Sequence, residues 1–142
     1  GIGVAVWPAQ AINYTNKTQF LFRIQKGILD INDTGVNDYI KPENQRVPFR
    51  NMIYIGDSDT DIPCMSLVNA NGGHSIGVYD PFKKDKEKVY KMMRHHRIRY
   101  YAPADYTNGS KLDTLVKQII RKTAAYEVLE SEYIHCKYEA EE

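Results

Sequence analysis

Three aspartates, Asp57, Asp59 and Asp61, fall at every second position in the stretch NMIYIGDSDTDIPCM, directly after an apolar run that ends in glycine. Carboxylates packed this closely repel one another unless a cation or a basic group sits among them. Their hard oxygens suit Mg²⁺, which is usually held by one or two carboxylates, waters and the phosphate of a substrate. The chemistry expected from the residues themselves is a Mg²⁺ site that handles phosphate. Two structural readings compete. The spacing is that of an EF-hand loop, but the sixth position is Ile62 rather than Gly and the twelfth is Val68 rather than Glu, so that loop is rejected. The other is an ordinary turn, with Asp61 capping the next helix and Asp59 solvated.

Such a cluster needs a rigid element behind it. NMIYI is short and nearly all apolar, as expected of a strand buried on both faces. In open parallel sheets, ligands sit beyond the carboxyl ends of the strands. That places Asp57 at such an end, with Gly56 expected to let the backbone turn sharply. DIPCMSLV then fits a short helix with Asp61 as cap and Pro63 in its first turn. GGHSIGVYD reads as a strand, PFKKDKEKVYKMMRHH as a helix with a thin apolar face, and IRYYAPADY as a strand with its exit loop. Ser110 caps the last helix, with Asp113 three residues on and Leu112, Leu115, Val116, Ile119 and Ile120 on one apolar face. The tail EVLESEYIHCKYEAEE is expected to continue that helix and fray.

Upstream, GVAVWPAQAINYT reads as a strand, a turn at Pro8 and a second strand near Ala11–Tyr14. Asn16 or Thr15 can cap a helix beginning at Lys17, in which Phe20, Ile24 and Ile28 recur at four-residue steps. DINDTGVNDYIKPENQRVP is a polar, turn-rich connection. Strands alternating with helices predict an α/β fold whose mainly parallel sheet is flanked by helices.

Composition narrows the function classes. The chain has 142 residues, 42% hydrophobic and 26% charged, which is enough for one domain with a buried core. A formal net charge of +1 gives no global pull toward nucleic acid or a membrane surface. No run approaches the roughly 18 apolar residues of a helical span. The opening GIGVAVWPAQ lacks the basic region of a signal peptide. Cys64 and Cys136 are too few for a disulfide framework, so a reduced cytoplasmic compartment is expected, with Cys64 as a small core residue. The basic stretch KKDKEKVYKMMRHHRIR is broken by Asp85 and Glu87 and reads as a solvated helix face rather than an RNA contact. His95 and His96 diverge on a helix and cannot easily share a metal. His74 follows the Gly-Gly turn, near the aspartate loop in this reading, and is assigned a structural or solvent-facing role. His135 and Cys136 lack the partners of a zinc site.

IGDSDTD resembles the fourth motif, Gly-Asp-x-x-x-Asp, of the haloacid dehalogenase (HAD) superfamily of phosphohydrolases. GGHSIGVYDP looks like the next core strand of such enzymes, and AINYTNKTQFLFRIQKGI resembles the third motif, which supplies a lysine. The resemblance covers Ala11 to Ile120 and implies a Rossmann-like HAD core. Carried over, it gives Asp57 direct coordination of Mg²⁺. Asp61 would support the metal shell through water or hold the lysine, and Asp59 has no role. The lysine would neutralise the nucleophile and the phosphoryl oxygens as charge builds. Lys17 and Lys26 are both candidates. Lys17 stands at a predicted helix N-terminus, where the dipole disfavours a cation and a nearby anion would explain it. Lys26 stands in the last turns, where a cation is favoured without any function. Lys17 is therefore chosen as the catalytic lysine.

The nucleophile of the family is the first Asp of an Asp-x-Asp-x-Thr/Val motif ending the first core strand, and it forms an aspartyl-phosphate. LDINDTG, around Asp30 and Asp33, has the wrong spacing, and VYDPFKKD is no better. No Ser or Thr upstream of Lys17 fits the second motif. Residues 1–142 are thus expected to be the C-terminal part of a single HAD-like core domain, with motifs three and four only and without the nucleophile strand or a cap. The parent would be a Mg²⁺-dependent phosphatase acting on a small phosphorylated substrate, with no nucleic acid or membrane partner, and this fragment alone would be inactive. In the family's sheet the absent strand lies beside NMIYI. That strand would then keep an unpaired apolar edge, open to the missing N-terminal half or to self-association. Caps set substrate choice in this superfamily, so the substrate is not legible. A non-catalytic HAD-fold interaction module that has lost the nucleophile is the alternative. A receiver-like domain would need a phosphoacceptor such as Asp80, whose surroundings fit poorly.

Overall fold

The structure is a computed structural model that describes every residue except 1, 2, 5, 7–10, 14, 15 and 84. The chain divides into two compact units, Gly1–Val47 and Pro48–Glu142.

The N-terminal unit is built on α1 (Lys17–Lys26), which starts where the sequence predicts. It ends at Gly27, whose φ of 73° is left-handed and whose amide reaches back to the carbonyls of Arg23 and Ile24. The connection that follows has no ladder to satisfy its carbonyls, so side chains from the last turns of α1 do it. Arg23, only 2% exposed, donates to the carbonyls of Ile28 at 3.2 Å, Asp30 at 2.6 Å, Ile31 at 3.1 Å and Asp33 at 3.4 Å. Lys26 Nζ donates to the carbonyls of Val36 at 2.5 Å and Asp38 at 2.8 Å. Two single 3₁₀ turns, Thr34–Asn37 and Pro42–Asn44, lie in this connection. The expected stripe of Phe20, Ile24 and Ile28 is not the inward face. Leu21 and Arg23 are buried and Ile24 is 40% exposed, because the helix faces the carbonyls that its guanidinium collects. Of the predicted early strands, Gly3, Val4, Val6 and Ala11–Asn13 lie in none. The turn at Pro8 and the end at Tyr14 lie outside the described residues.

The C-terminal unit carries the sheet. β1 (Ile53–Gly56), β2 (His74–Tyr79) and β3 (Tyr100–Pro103) are parallel and ordered β1-β2-β3, with Gly56 beside Gly77 and Ile76 beside Tyr100. Parallel neighbours need crossovers. These run through α2 (Ile62–Ala70) and α3 (Glu87–Arg94), and α4 (Lys111–Glu141) follows β3. Alternate strand residues serve opposite faces. Ile53, Ile55, Ile76, Val78 and Ala102 pack with Leu112, Leu115, Val116 and Ile119 of α4. Tyr54, Tyr79 and Tyr101 pack with Ile62 and Met65 of α2 and with Val89 and Met92 of α3. The result is an α/β layered fold with helices on both faces of a parallel sheet, consistent with a partial Rossmann-like core. Fully burying one such aliphatic side chain stabilises by about 1.5–3 kcal/mol. Among the described residues, the two buried clusters that supply this are both in the C-terminal unit.

Two helix expectations shift. Ile120 is 54% exposed, so the inward face of α4 is narrower than predicted and centres on Leu112, Leu115, Val116 and Ile119. The cap is as expected: Ser110 Oγ accepts from the Asp113 amide at 3.1 Å, while the Asp113 carboxylate accepts from the Gly109 amide at 2.9 Å. The helix then runs 31 residues to Glu141, through the tail that was expected to fray. Among the described residues β1 pairs with β2 alone and forms one edge of the sheet. None of the described helices is long and apolar enough to cross a membrane.

Candidate functional site

β1 delivers the aspartate loop at its carboxyl end, beyond Gly56, and a 3₁₀ turn at Asp59–Asp61 leads directly into α2. Asp61 organises this loop. It is 7% exposed, and its Oδ2 accepts from the backbone amides of Asp57 at 3.1 Å and Ser58 at 3.2 Å and from Ser58 Oγ at 3.2 Å. Its Oδ1 accepts from the hydroxyl of Tyr54, two residues before Gly56 on β1, at 2.8 Å. Burial, then the Asp61 bond, push the Tyr54 phenol far above its ordinary range, so it stays a donor. Asp61 precedes α2 in the chain, yet its side chain does not cap that helix as expected; it turns back onto the loop. Gly56 also has a different task from the one predicted. A Cβ there would stand 2.6 Å from Asp61 Oδ2, so glycine is needed for room beside the carboxylate.

With the backbone pinned, Asp57 stands exposed at the strand end. Asp59 is exposed as well, with Lys88 Nζ at 3.8 Å, a distance that contributes little at the surface. Ser58 Oγ and Thr60 Oγ1 lie 2.7 Å apart. The three aspartates do not converge. Among the described residues no group of three or more His, Cys, Asp or Glu side chains could hold a metal ion. The donor set is one exposed carboxylate on a rigid turn. That fits Mg²⁺, which keeps most of its waters and takes one or two protein carboxylates, better than it fits a closed cage.

The lysines belong to the N-terminal unit. Lys17 is the first residue of α1, and its amide donates to the Asn13 carbonyl at 3.1 Å. Lys26, assigned no task from sequence, is bound to the Val36 and Asp38 carbonyls. His74 lies at the other end of the sheet from the aspartate loop: it pairs with Ile53, the first residue of β1. It is 2% exposed, and its Nε2 is 3.3 Å from Lys122 Nζ. Burial first, then the Lys122 charge, hold its pKa below the ordinary 6.5, so the imidazole is neutral near pH 7. Cys64, 1% exposed, is the small core residue expected. Sequence reasoning missed the Tyr54–Asp61 bond and the Arg23 clamp. Tyr54 carries the one hydroxyl in NMIYI, which is the signal that could have marked it. Nothing in the polar connection announces that its carbonyls converge on one guanidinium.

No protein-family model matches the chain, and no solved structure matches it. It is 27% identical over 101 residues to an uncharacterized protein of Borreliella burgdorferi, a match covering 71% of this chain and 34% of that protein. The chain thus spans about a third of the length of the curated relative it matches.

Proposed function

We propose that the Asp57–Asp61 loop is the metal-binding half of a Mg²⁺-dependent phosphohydrolase site, in a parent protein that cleaves a phosphate monoester. The observation that carries this reading is the placement of Asp57: an exposed carboxylate beyond the carboxyl end of a parallel strand, its amide fixed by the buried Asp61. Bound there, Mg²⁺ supplies charge neutralisation for a phosphate. In this reading Asp57 holds the ion directly. Asp61, with two amides and two hydroxyls on its carboxylate, positions Asp57. Lys17, in the N-terminal unit, is the lysine that the resemblance assigns to the phosphoryl oxygens. The nucleophile is an Asp on a strand outside this chain, and that strand pairs with the edge of β1 that is unpaired among the described residues.

The test has two arms. Mn²⁺, a paramagnetic stand-in for Mg²⁺, is titrated into the isotope-labelled chain while amide signals are followed by NMR. Broadening centred on Asp57 and Ser58, lost in Asp57→Asn, is expected; absence of local broadening overturns the metal assignment. Turnover of p-nitrophenyl phosphate with Mg²⁺ is measured on the same chain and is expected to be nil. Turnover by this chain alone would show that the nucleophile is present. In a longer polypeptide that supplies the Asp-x-Asp strand, Asp57→Asn is expected to lower kcat by about 10²–10³-fold or more.

A further inference from the structure

α4 outruns the sheet it packs on. Its inward stripe begins with Leu112, Leu115 and Ile119, of which Leu112 is 2% and Ile119 4% exposed. The steps between them are three and four residues, and the same steps continue without a break. The next position is Lys122, which leaves the stripe for His74. After it come Tyr126, Leu129, Tyr133, Cys136 and Ala140. Together the nine are positions a and d of four successive heptads with Ala140 opening a fifth, and a strict seven-residue repeat is the signature of a left-handed two-helix seam. On the second half of the helix the stripe is open: Leu129 is 71% and Tyr133 61% exposed. Fifteen residues of helix are marginal in water unless an apolar face is covered. A heptad seam at half-buried, then open, apolar positions is what a partner helix covers.

We propose that residues 126–140 of α4 form a parallel coiled coil with the same segment of a second copy of this chain. Charge selects both the partner and the direction. With Tyr126 and Tyr133 at a, Glu132 occupies g and Lys137 the following e. In a parallel homodimer g of one helix faces the next e of the other, so Glu132 meets the partner copy's Lys137 twice by symmetry. An antiparallel pair that aligns Tyr133 with Cys136 does worse. It gains Glu130–Lys137 contacts across the seam but sets Glu132 against Glu139. Both Glu132 and Lys137 are exposed, and Glu132 Oε1 accepts the weak Cys136 Sγ contact of its own helix at 3.7 Å. This surface is separate from the β1 edge and does not depend on the phosphohydrolase reading.

The parallel register also places the two Cys136 side chains opposite each other at d, within reach of a disulfide, while Cys64 is buried and silent. The test uses the full chain. Mass in solution is measured by sedimentation across a concentration series, and cross-linking by copper–phenanthroline in air on non-reducing gels. A dimer is expected, cross-linked through Cys136, with Cys136→Ser losing the cross-link and keeping the dimer mass. The double variant Leu129→Glu, Tyr133→Glu is expected to halve the mass while leaving the circular dichroism of the sheet unit intact. A chain that stays monomeric overturns the proposal. So does a dimer that survives the double variant, which would place association elsewhere, at the β1 edge first. A dimer abolished by the double variant yet never cross-linked at Cys136 overturns the parallel arrangement.

Discussion

A single buried carboxylate decides the shape of the candidate site. Asp61 accepts four hydrogen bonds and leaves Asp57 to face solvent. Replacing it by Ala strips the partner from two amides and the Tyr54 hydroxyl, and unpaired buried groups cost about 1–3 kcal/mol each. Asp61→Ala is expected to lower unfolding free energy by about 2–4 kcal/mol in urea titrations. Gly56→Ala should cost about 1–3 kcal/mol by pushing a methyl against the same carboxylate. If Gly56→Ala is neutral, the close approach is not a constraint. His74 gives a pH dependence. Its folded pKa is lowered, so protonation favours the unfolded chain; its contribution is intact above the ordinary 6.5 and is lost as pH falls below it. The urea midpoint should therefore drop between about pH 7.5 and about pH 5.5, and His74→Asn should flatten that drop. An unchanged slope in the variant would remove His74 from the explanation. Burial and the cations Lys122 and Arg99 lower the His74 pKa, against the Met52 carbonyl, which raises it, and the net direction is down.

At the scale of elements, α1 shows how a polar connection acquires structure without a ladder. Arg23 and Lys26, one short turn apart on the helix, hold six carbonyls between Ile28 and Asp38. A guanidinium presents five donors in a fixed fork, so one side chain can order several residues of loop. Arg23→Met keeps the buried stem and deletes the donors. Amide exchange across residues 28–38 should then rise by about a hundredfold, while the strands of the C-terminal unit stay protected. Equal acceleration in both units would mean that the clamp supports the whole chain. Protection unchanged in residues 28–38 would mean that the turns hold themselves.

On the scale of the whole molecule, the two units differ in what their described residues bury. Among the described residues, both buried apolar clusters lie between Pro48 and Glu142, whereas those of the N-terminal unit bury Leu21 and Val36 around a polar clamp. A polypeptide of residues 48–142 is expected to fold by itself, with a cooperative thermal transition and dispersed methyl signals in NMR. A non-cooperative transition for residues 48–142 would show that the sheet needs the first unit.

The sequence by itself determined the three strands of the sheet, their helical connections and the place of the aspartate loop, but not the two strands it suggested before Lys17, whose described residues form none. Those follow from local patterns: an apolar run closed by Gly56, a Ser110–Asp113 cap, and three- and four-residue steps along α4. It also marked Asp57 and Asp61 as the residues to watch. Tertiary structure decided what each one does. Asp61 turned from helix cap to loop organiser because Tyr54 and two amides reach it in space, from positions that periodicity cannot rank. His74 proved to sit at the far end of the sheet because parallel pairing sets Ile53, not Gly56, beside it. α1 faced inward through Arg23 rather than its apolar steps, because unpaired carbonyls of a connection outweigh a weak hydrophobic stripe. Patterns along the chain report which residues can share a face; only the folded neighbours determine which polar group each buried donor must satisfy.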